Sequence, residues 1–350
     1  MRRRIVFLSL ALTVSACHQH GPEVPLTSQN IYFSDKFYDV KSISAERALI
    51  IGYGGKILET NDGGVSFTKI DSGTDLALYK LFPFDANRMW ISGQQGLILA
   101  STDGGKTWQK QDSGTQEYLF SIFFVNENHG YAVGDRSTIT ETTDGGKTWK
   151  ARKVARATEG IDSDMLLAMQ DPIFYDVRFT DEQNGLIAGE FGHLLKTSDG
   201  GQNWTPGQNS LMTPESGIVD PMDLPTFFGS YLLSGQEALV SGLDGKLART
   251  RNGGQTWQFE PMKLAFEIVD PLYQPYMTKD GNGWAVGAAG EVVHLPAGQT
   301  EWKRADLGMQ IYTWLRSIDF ADAQNGWLVG GYGTILRTTD GGKSWRMCLG

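Results

Sequence analysis

Short β-rich runs and turn-forming clusters alternate along nearly the whole chain, and the alternation has a fixed unit. Apolar runs such as Tyr131-Ala132-Val133 and Trp327-Leu328-Val329 end on a glycine, and runs such as Gly96-Leu97-Ile98-Leu99 and Gly333-Thr334-Ile335-Leu336 follow it. A polar eight-residue segment closes each unit: Thr60 to Phe67, Ser101 to Trp108, Thr142 to Trp149, Thr197 to Trp204, Thr250 to Trp257 and Thr338 to Trp345. Leu295 to Trp302 is an eroded copy, with Ala297 at the acidic position. Glycines recur at Gly52, Gly93, Gly134, Gly189, Gly242, Gly287 and Gly330, always 15 positions before the closing aromatic residue. Each unit predicts four strands: one ending near Phe84 or Phe320, one ending at the glycine, one ending at the Thr or Ser of the segment, and one starting at its Trp. Four short strands per repeat of this length are the signature of a propeller blade. The pattern therefore predicts an all-β fold, a seven-bladed β-propeller of four-stranded antiparallel blades over residues 31–350.

The closing segment has a local role. Asp62, Asp103, Asp144, Asp199 and Asp340, with Asn252 at the same position, can accept backbone N–H bonds across a turn. The Gly-Gly pair permits positive φ, and Trp108, Trp149, Trp204, Trp257, Trp302 and Trp345 can pack back between sheets. An acid that recurs in almost every blade without a unique partner is structural rather than catalytic. No segment offers the several acidic oxygens of a calcium loop, so neither a metal nor a cofactor is expected.

Ser/Thr-x-Asp-Gly-Gly-x-x-Trp is similar to the Asp-box, or bacterial neuraminidase repeat. Together with Asn325-Gly326-Trp327-Leu328-Val329-Gly330 and Gly333-Thr334-Ile335-Leu336-Arg337-Thr338-Thr339-Asp340, it resembles the photosystem II assembly and stability factor family over about residues 31–350. The resemblance implies a seven-bladed propeller with Asp-box hairpins and a non-catalytic factor. In phototrophs such a factor binds a newly made reaction-centre subunit.

The segments from one closing aromatic to the next repeat glycine are 26, 26, 40, 38, 30 and 28 residues long, so length variation falls in the connections between blades. These connections share one face with the loops between second and third strands, opposite the box hairpins. The two longest insertions, about 151–174 and 205–227, include Met165-Leu166-Leu167-Ala168-Met169 and Ile218-Val219-Asp220-Pro221-Met222-Asp223, compatible with a packed cap or with a clamp for a polypeptide.

Fourteen residues before each repeat glycine stand Tyr38, Tyr79, Phe120, Tyr175, Phe228, Tyr273 and Arg316. The next column is Asp39, Lys80, Ser121, Asp176, Gly229, Gln274 and Ser317. Alternation along a strand puts the two columns on opposite faces. If the inner strand starts at the insertion face, the polar column lies near the channel mouth, and Asp39, Lys80, Asp176, Gln274 and Arg316, with Arg178 near by, are the candidate binding residues.

Met1 to Ala16 has the basic start, the short apolar run and the small residues of an export signal, and Val14-Ser15-Ala16-Cys17 looks like a bacterial lipobox. The expected processing removes residues 1–16, acylates Cys17 and leaves residues 17–30 as a tether. His18 is not the aspartate that retains many lipoproteins at the inner membrane, so the outer membrane is favoured over the inner. Without residues 1–16 the chain has 28 basic and 40 acidic residues, a net charge of −12. That argues against nucleic acid. With Cys17 acylated, Cys348 has no disulfide partner and reads as a small buried apolar residue.

Two classes of function remain: a scaffold for an envelope or membrane protein, and an extracellular propeller that binds glycans through exposed aromatics. The enzymatic alternative is a sialidase-like glycosidase. Arg88, Arg136, Arg178, Arg249 and Arg316 could supply an arginine triad, but the expected Phe/Tyr-Arg-Ile-Pro segment is missing, and alternation separates Tyr175 from Asp176. Gly104-Gly105-Lys106-Thr107 lacks the first glycine of a phosphate loop, and the histidines show no metal-ligand spacing.

Overall fold

The computed structural model describes residues 30–153 and 171–349. The leader, Cys17, the tether before Asn30 and the Met165-Leu166-Leu167-Ala168-Met169 run lie outside the described residues. Seven four-stranded antiparallel sheets follow one another, each with its strands in sequence order. Their first strands, Phe37–Ser42, Leu78–Pro83, Leu119–Phe124, Phe174–Phe179, Phe227–Leu232, Leu272–Met277 and Leu315–Phe320, stand side by side around a central channel. The fold is thus the expected seven-bladed propeller.

Core packing lies in the clefts between blades. Phe37, Val40, Ile50, Leu58 and Phe67 of blade 1 bury against Trp327, Val329 and Ile335 of blade 7, and equivalent apolar clusters fill the remaining clefts. Second strands are buried on both faces, which explains why runs such as Trp327-Leu328-Val329 are continuously apolar rather than alternating. Residues 31–33 add no edge strand, and the last blade is completed by its own outer strand, Arg346–Met347. Across the closing seam the Ser42 amide donates to Asp319 Oδ2 at 2.7 Å, and the Arg346 guanidinium donates to the Gly63 carbonyl.

The box hairpins follow one plan. Asp103 Oδ1 accepts the amides of Lys106 and Thr107 at 3.0 Å, and Asp103 Oδ2 accepts the Thr107 hydroxyl at 2.7 Å. Ser101 Oγ donates to Asp103 and accepts the Gly105 amide. Asn252 keeps this plan with an amide, its Oδ1 accepting the Thr256 amide and its Nδ2 donating to the Thr256 hydroxyl. In the eroded copy, Asn282 from the neighbouring hairpin accepts the Ala297 amide instead. The second box glycine has positive φ and abuts the preceding blade: a Cβ on Gly342 would lie 2.4 Å from the Trp284 ring.

The repeat glycine has a different cause. A Cβ on Gly134 would lie 1.6 Å from the Tyr118 carbonyl oxygen, and the same clash with the residue two before the inner strand's second position recurs in all seven blades. The amide after each glycine donates to that carbonyl, as Tyr53 does to Lys36, Asp135 to Tyr118 and Gly331 to Trp314. Beside this close approach every inner strand pairs irregularly. Phe37 faces Gly52 while Asp39 faces Ile51, so Tyr38 is an extra residue, and the same bulge occurs in each blade.

The inter-blade connections lie on the face of the second-to-third strand loops, as Ser137 donating to the Pro172 carbonyl and Gly245 packed on Ile268 illustrate. In the 205–227 insertion, Leu211 and Leu224 are buried in the cleft between blades 4 and 5, while Val219 and Met222 are exposed.

Candidate functional site at the channel mouth

The seven bulges correct the expectation from strand alternation. An extra residue lets two consecutive side chains turn the same way, and Tyr175 and Asp176 line one cavity together with Tyr79, Lys80, Tyr273, Gln274 and Arg316. The whole first column and Lys80, Asp176, Gly229 and Gln274 of the second therefore line the channel.

The aromatic column forms a nearly closed ring. Ring centres are 5.5 Å apart for Tyr38 and Tyr79, 5.1 Å for Tyr79 and Phe120, 5.4 Å for Phe120 and Tyr175, 4.9 Å for Tyr175 and Phe228, and 5.5 Å for Phe228 and Tyr273. Trp314 stacks on Tyr38 at 5.7 Å. Arg316 fills the seventh place, its guanidinium 4.9 Å from the Tyr273 ring centre. Burial raises the Tyr79 and Tyr175 hydroxyls to about 12, so all four ring tyrosines are neutral donors at physiological pH.

Below the ring, charges are paired within the wall. Asp39 accepts the Ser317 hydroxyl at 2.6 Å and the Leu81 amide at 3.0 Å, with Lys41 at 3.4 Å and Lys80 at 4.0 Å. Asp176 accepts the Ser121 hydroxyl, the Ser230 amide and the Ser230 hydroxyl, and Arg178 stands 3.2 Å away. Burial alone would raise both carboxyls, but neighbouring cations and hydrogen bonds outweigh it, holding Asp39 below the usual range and Asp176 at about 2. Burial lowers the Lys80 ammonium to about 8, against the opposing pull of Asp39. Gln274 donates to the Ile318 carbonyl of the next blade.

Of the six candidate binding residues, Lys80, Asp176, Gln274 and Arg316 line the channel cavity, Asp39 and Arg178 are not part of its lining, and all but Arg316 are paired within the wall. Arg316 alone among them has no hydrogen-bonding or acidic partner among the described residues. Its guanidinium is deeply desolvated, which lowers its pKa. The sequence reading missed the aromatic ring as part of the site; the signal was its recurrence at one position before the repeat glycine.

The five arginines weighed for a triad do not converge. Arg88 pairs with Asp85 and Glu127, Arg136 stands beside Glu117, and Arg249 is held by Glu237 and Glu260, leaving only Arg178 and Arg316 on inner strands. No cluster of His, Cys, Asp or Glu among the described residues could hold a metal ion.

Fold and channel mouth together define a seven-bladed Asp-box propeller whose mouth is an aromatic ring broken by one unpaired guanidinium. More narrowly, the chain belongs to the Photosynthesis system II assembly factor YCF48 family, whose model matches residues 22–113, 107–165, 161–258 and 296–348. The photosystem II assembly lipoprotein Ycf48 of Synechococcus sp. (strain CC9902) is 30% identical over 82 residues, which are 23% of this chain and 22% of that relative. Two solved structures share the fold: YCF48 bound to D1 peptide, with TM-score 0.65 and 17% identity over 89% of this chain and 95% of that one, and YCF48 from Cyanidioschyzon merolae, with TM-score 0.67 and 19% identity over 87% and 96%. The GH74 xyloglucanase of Xanthomonas campestris is also similar in fold, with TM-score 0.68 and 12% identity, but this chain covers only 55% of it.

Proposed function

We propose that the chain is a non-catalytic assembly factor that holds a polypeptide segment of a membrane-protein complex at the channel mouth, with Arg316 receiving a carboxylate. The observation that carries this reading is the unpaired Arg316 guanidinium inside an otherwise aromatic ring. A guanidinium forms bidentate, charge-assisted bonds with a carboxylate, and surrounding aromatic faces take the apolar part of a peptide. Membership of an assembly-factor family and a relative with a bound peptide support it. The Cys17 lipobox supports attachment by lipid in the cell envelope, and His18 in place of a retaining aspartate favours the outer membrane over the inner, which makes an envelope protein the expected partner. Glycan binding would use the same aromatics, and dependence on Arg316 separates the two readings.

The test is crosslinking and mild-detergent co-purification from the native envelope with wild type and Arg316→Gln. A near-stoichiometric envelope protein that is lost in the variant is the expected result. An unchanged partner, or glycan binding indifferent to the substitution, would refute the assignment.

A further inference from the structure

Exposed large apolar side chains are unevenly distributed. Thirteen occur among the described residues, and ten of them lie on the face that bears the channel mouth and the connections; only Val65, Met347 and Leu349 lie elsewhere. Six of the ten are aromatic, and all of these but Phe266 fall in the sector of blades 1 and 7. Tyr32, Phe33, Tyr53, Tyr312 and Tyr332 are each more than half exposed, with Phe33 at 75% and Tyr312 at 80%. They form one surface: Phe33 stacks on Tyr332 with centres 4.5 Å apart, the Gly333 amide bonds the Asp35 carbonyl, and the Tyr53 amide bonds the Lys36 carbonyl. Through Gly331, bonded to the Trp314 carbonyl, the same surface runs to the Tyr312 segment.

Leaving five aromatic rings exposed to water gives up much of the gain that burial would bring, and a patch this concentrated marks an interaction surface. Two features identify its occupant. First, the composition is that of a polar–apolar boundary: four tyrosines with amphipathic rings, plus the exposed Lys36 standing 5.3 Å from the Tyr53 ring centre, while Lys56, 4.8 Å from the Tyr32 ring centre, is buried and paired with Asp35. Tyrosine rings sit at the headgroup level of a bilayer, and the stem of Lys36 lets its ammonium reach phosphate. Second, the chain enters the propeller in this sector at Asn30, thirteen residues after Cys17. Thirteen residues span at most about 47 Å fully extended. An acyl chain at Cys17 would hold this edge close to the lipid surface, where even weak interfacial affinity acts at high effective concentration.

The opposite part of the same face has a different charge. Asp220, Asp223, Asp244, Glu267 and Asp270 surround the exposed Val219, Phe266 and Val269. Five acids against the exposed Lys246 and Lys263 make that rim the less favourable side for anionic headgroups, which favours contact through the sector of blades 1 and 7.

We infer that the aromatic sector formed by Tyr32, Phe33, Tyr53, Tyr312 and Tyr332 is a membrane-contact surface that seats in the headgroup region of a phospholipid bilayer. The inference takes the Cys17 anchor of the proposed function for proximity only, and the surface acts without it.

The experiment uses the exported chain with Cys17→Ser, which carries no acyl group, floated on a density gradient with vesicles of phosphatidylethanolamine and phosphatidylglycerol. Flotation of the unacylated protein, falling about tenfold or more in Phe33→Ser/Tyr312→Ser and unchanged in Phe266→Ser/Val269→Ser, is the expected result. Thermal melts matching wild type check that the exposed substitutions leave the fold intact. Failure of the unacylated protein to float, or equal flotation of both double variants, overturns the inference. If the acylated chain floats while the Cys17→Ser chain does not, the anchor stands and the aromatic seat falls. Crosslinks from Phe33 and Tyr312 to a protein rather than to lipid in the native envelope would also overturn it.

Discussion

Arg316 occupies the ring position that an aromatic side chain holds in the other six blades, and its guanidinium lies 4.9 Å from the ring centre of Tyr273. A buried cation paired only with a π face is poorly compensated, since a ring quadrupole offsets desolvation less well than a carboxylate does. Replacing it therefore separates stability from binding. Arg316→Tyr, which completes the aromatic ring, is expected to keep or raise unfolding free energy by about 1 kcal/mol while partner retention falls at least about tenfold. Calorimetry and co-purification on the same preparations check both halves; a fall in stability together with retained binding would mean that the guanidinium serves the fold.

Asp176 behaves oppositely. Its carboxylate gathers Ser121, Ser230 and Arg178 from three blades, so Asp176→Ala leaves a buried guanidinium and buried hydroxyls without their acceptor. A loss of about 3–5 kcal/mol is expected in urea unfolding, against a small change for Asp176→Asn only if Arg178 finds another acceptor.

The repeat glycine answers to space rather than to backbone angle. Gly134→Ala places a methyl group 1.6 Å from the Tyr118 carbonyl oxygen and is expected to cost at least about 1–3 kcal/mol, because the inner strand must move away and its bulge must relax. Gly54→Ala, at φ +67° with open space around it, should cost about 1 kcal/mol. Thermal unfolding of the two variants distinguishes them, and equal losses would show that the close approach is soft.

The box carboxyls set an acid limit. Hydrogen bonds from Ser66, Thr107, Thr148 and Ser344 hold Asp62, Asp103, Asp144 and Asp340 at about 2, below the ordinary carboxyl value of 3.8. Because these values are depressed on folding, the stability they contribute is complete above the unfolded pKa and is lost as pH falls through the folded one, between about 4 and 2. A chain with all four replaced by Asn, the residue that blade 5 already carries at Asn252, should lose less stability across that window than wild type, as followed by tryptophan fluorescence.

The repeat architecture was legible because the invariant spacing from Gly134 to Trp149, repeated in every blade, records a whole hairpin whose ends are both fixed by packing. The channel lining was only half legible. Period-two reasoning placed Tyr175 and Asp176 on opposite faces, whereas a one-residue bulge turns both inward. The cue was present in Gly189, whose neighbour in space is the Ile173 carbonyl that the bulge brings close, but a glycine alone does not say whether angle or space demands it. Which polar residue would stay unpaired was beyond the sequence, since Asp39 and Asp176 find serine hydroxyls from the inner strands of neighbouring blades, and adjacency of that kind exists only once the ring is closed.

Completion of blade 7 by Arg346–Met347 alone means that no sheet borrows a strand from the far end of the chain. The covalent break between first and last blades is then equivalent to any other junction in the circle, differing only in lacking a peptide link. Joining the present ends through a short linker and opening the chain in another inter-blade connection, such as that between Ile70 and Leu78, would preserve every sheet as a continuous unit. Where a tether is attached is thereby uncoupled from how the ring is built, and an anchor could be placed anywhere around the circumference without redesigning a blade.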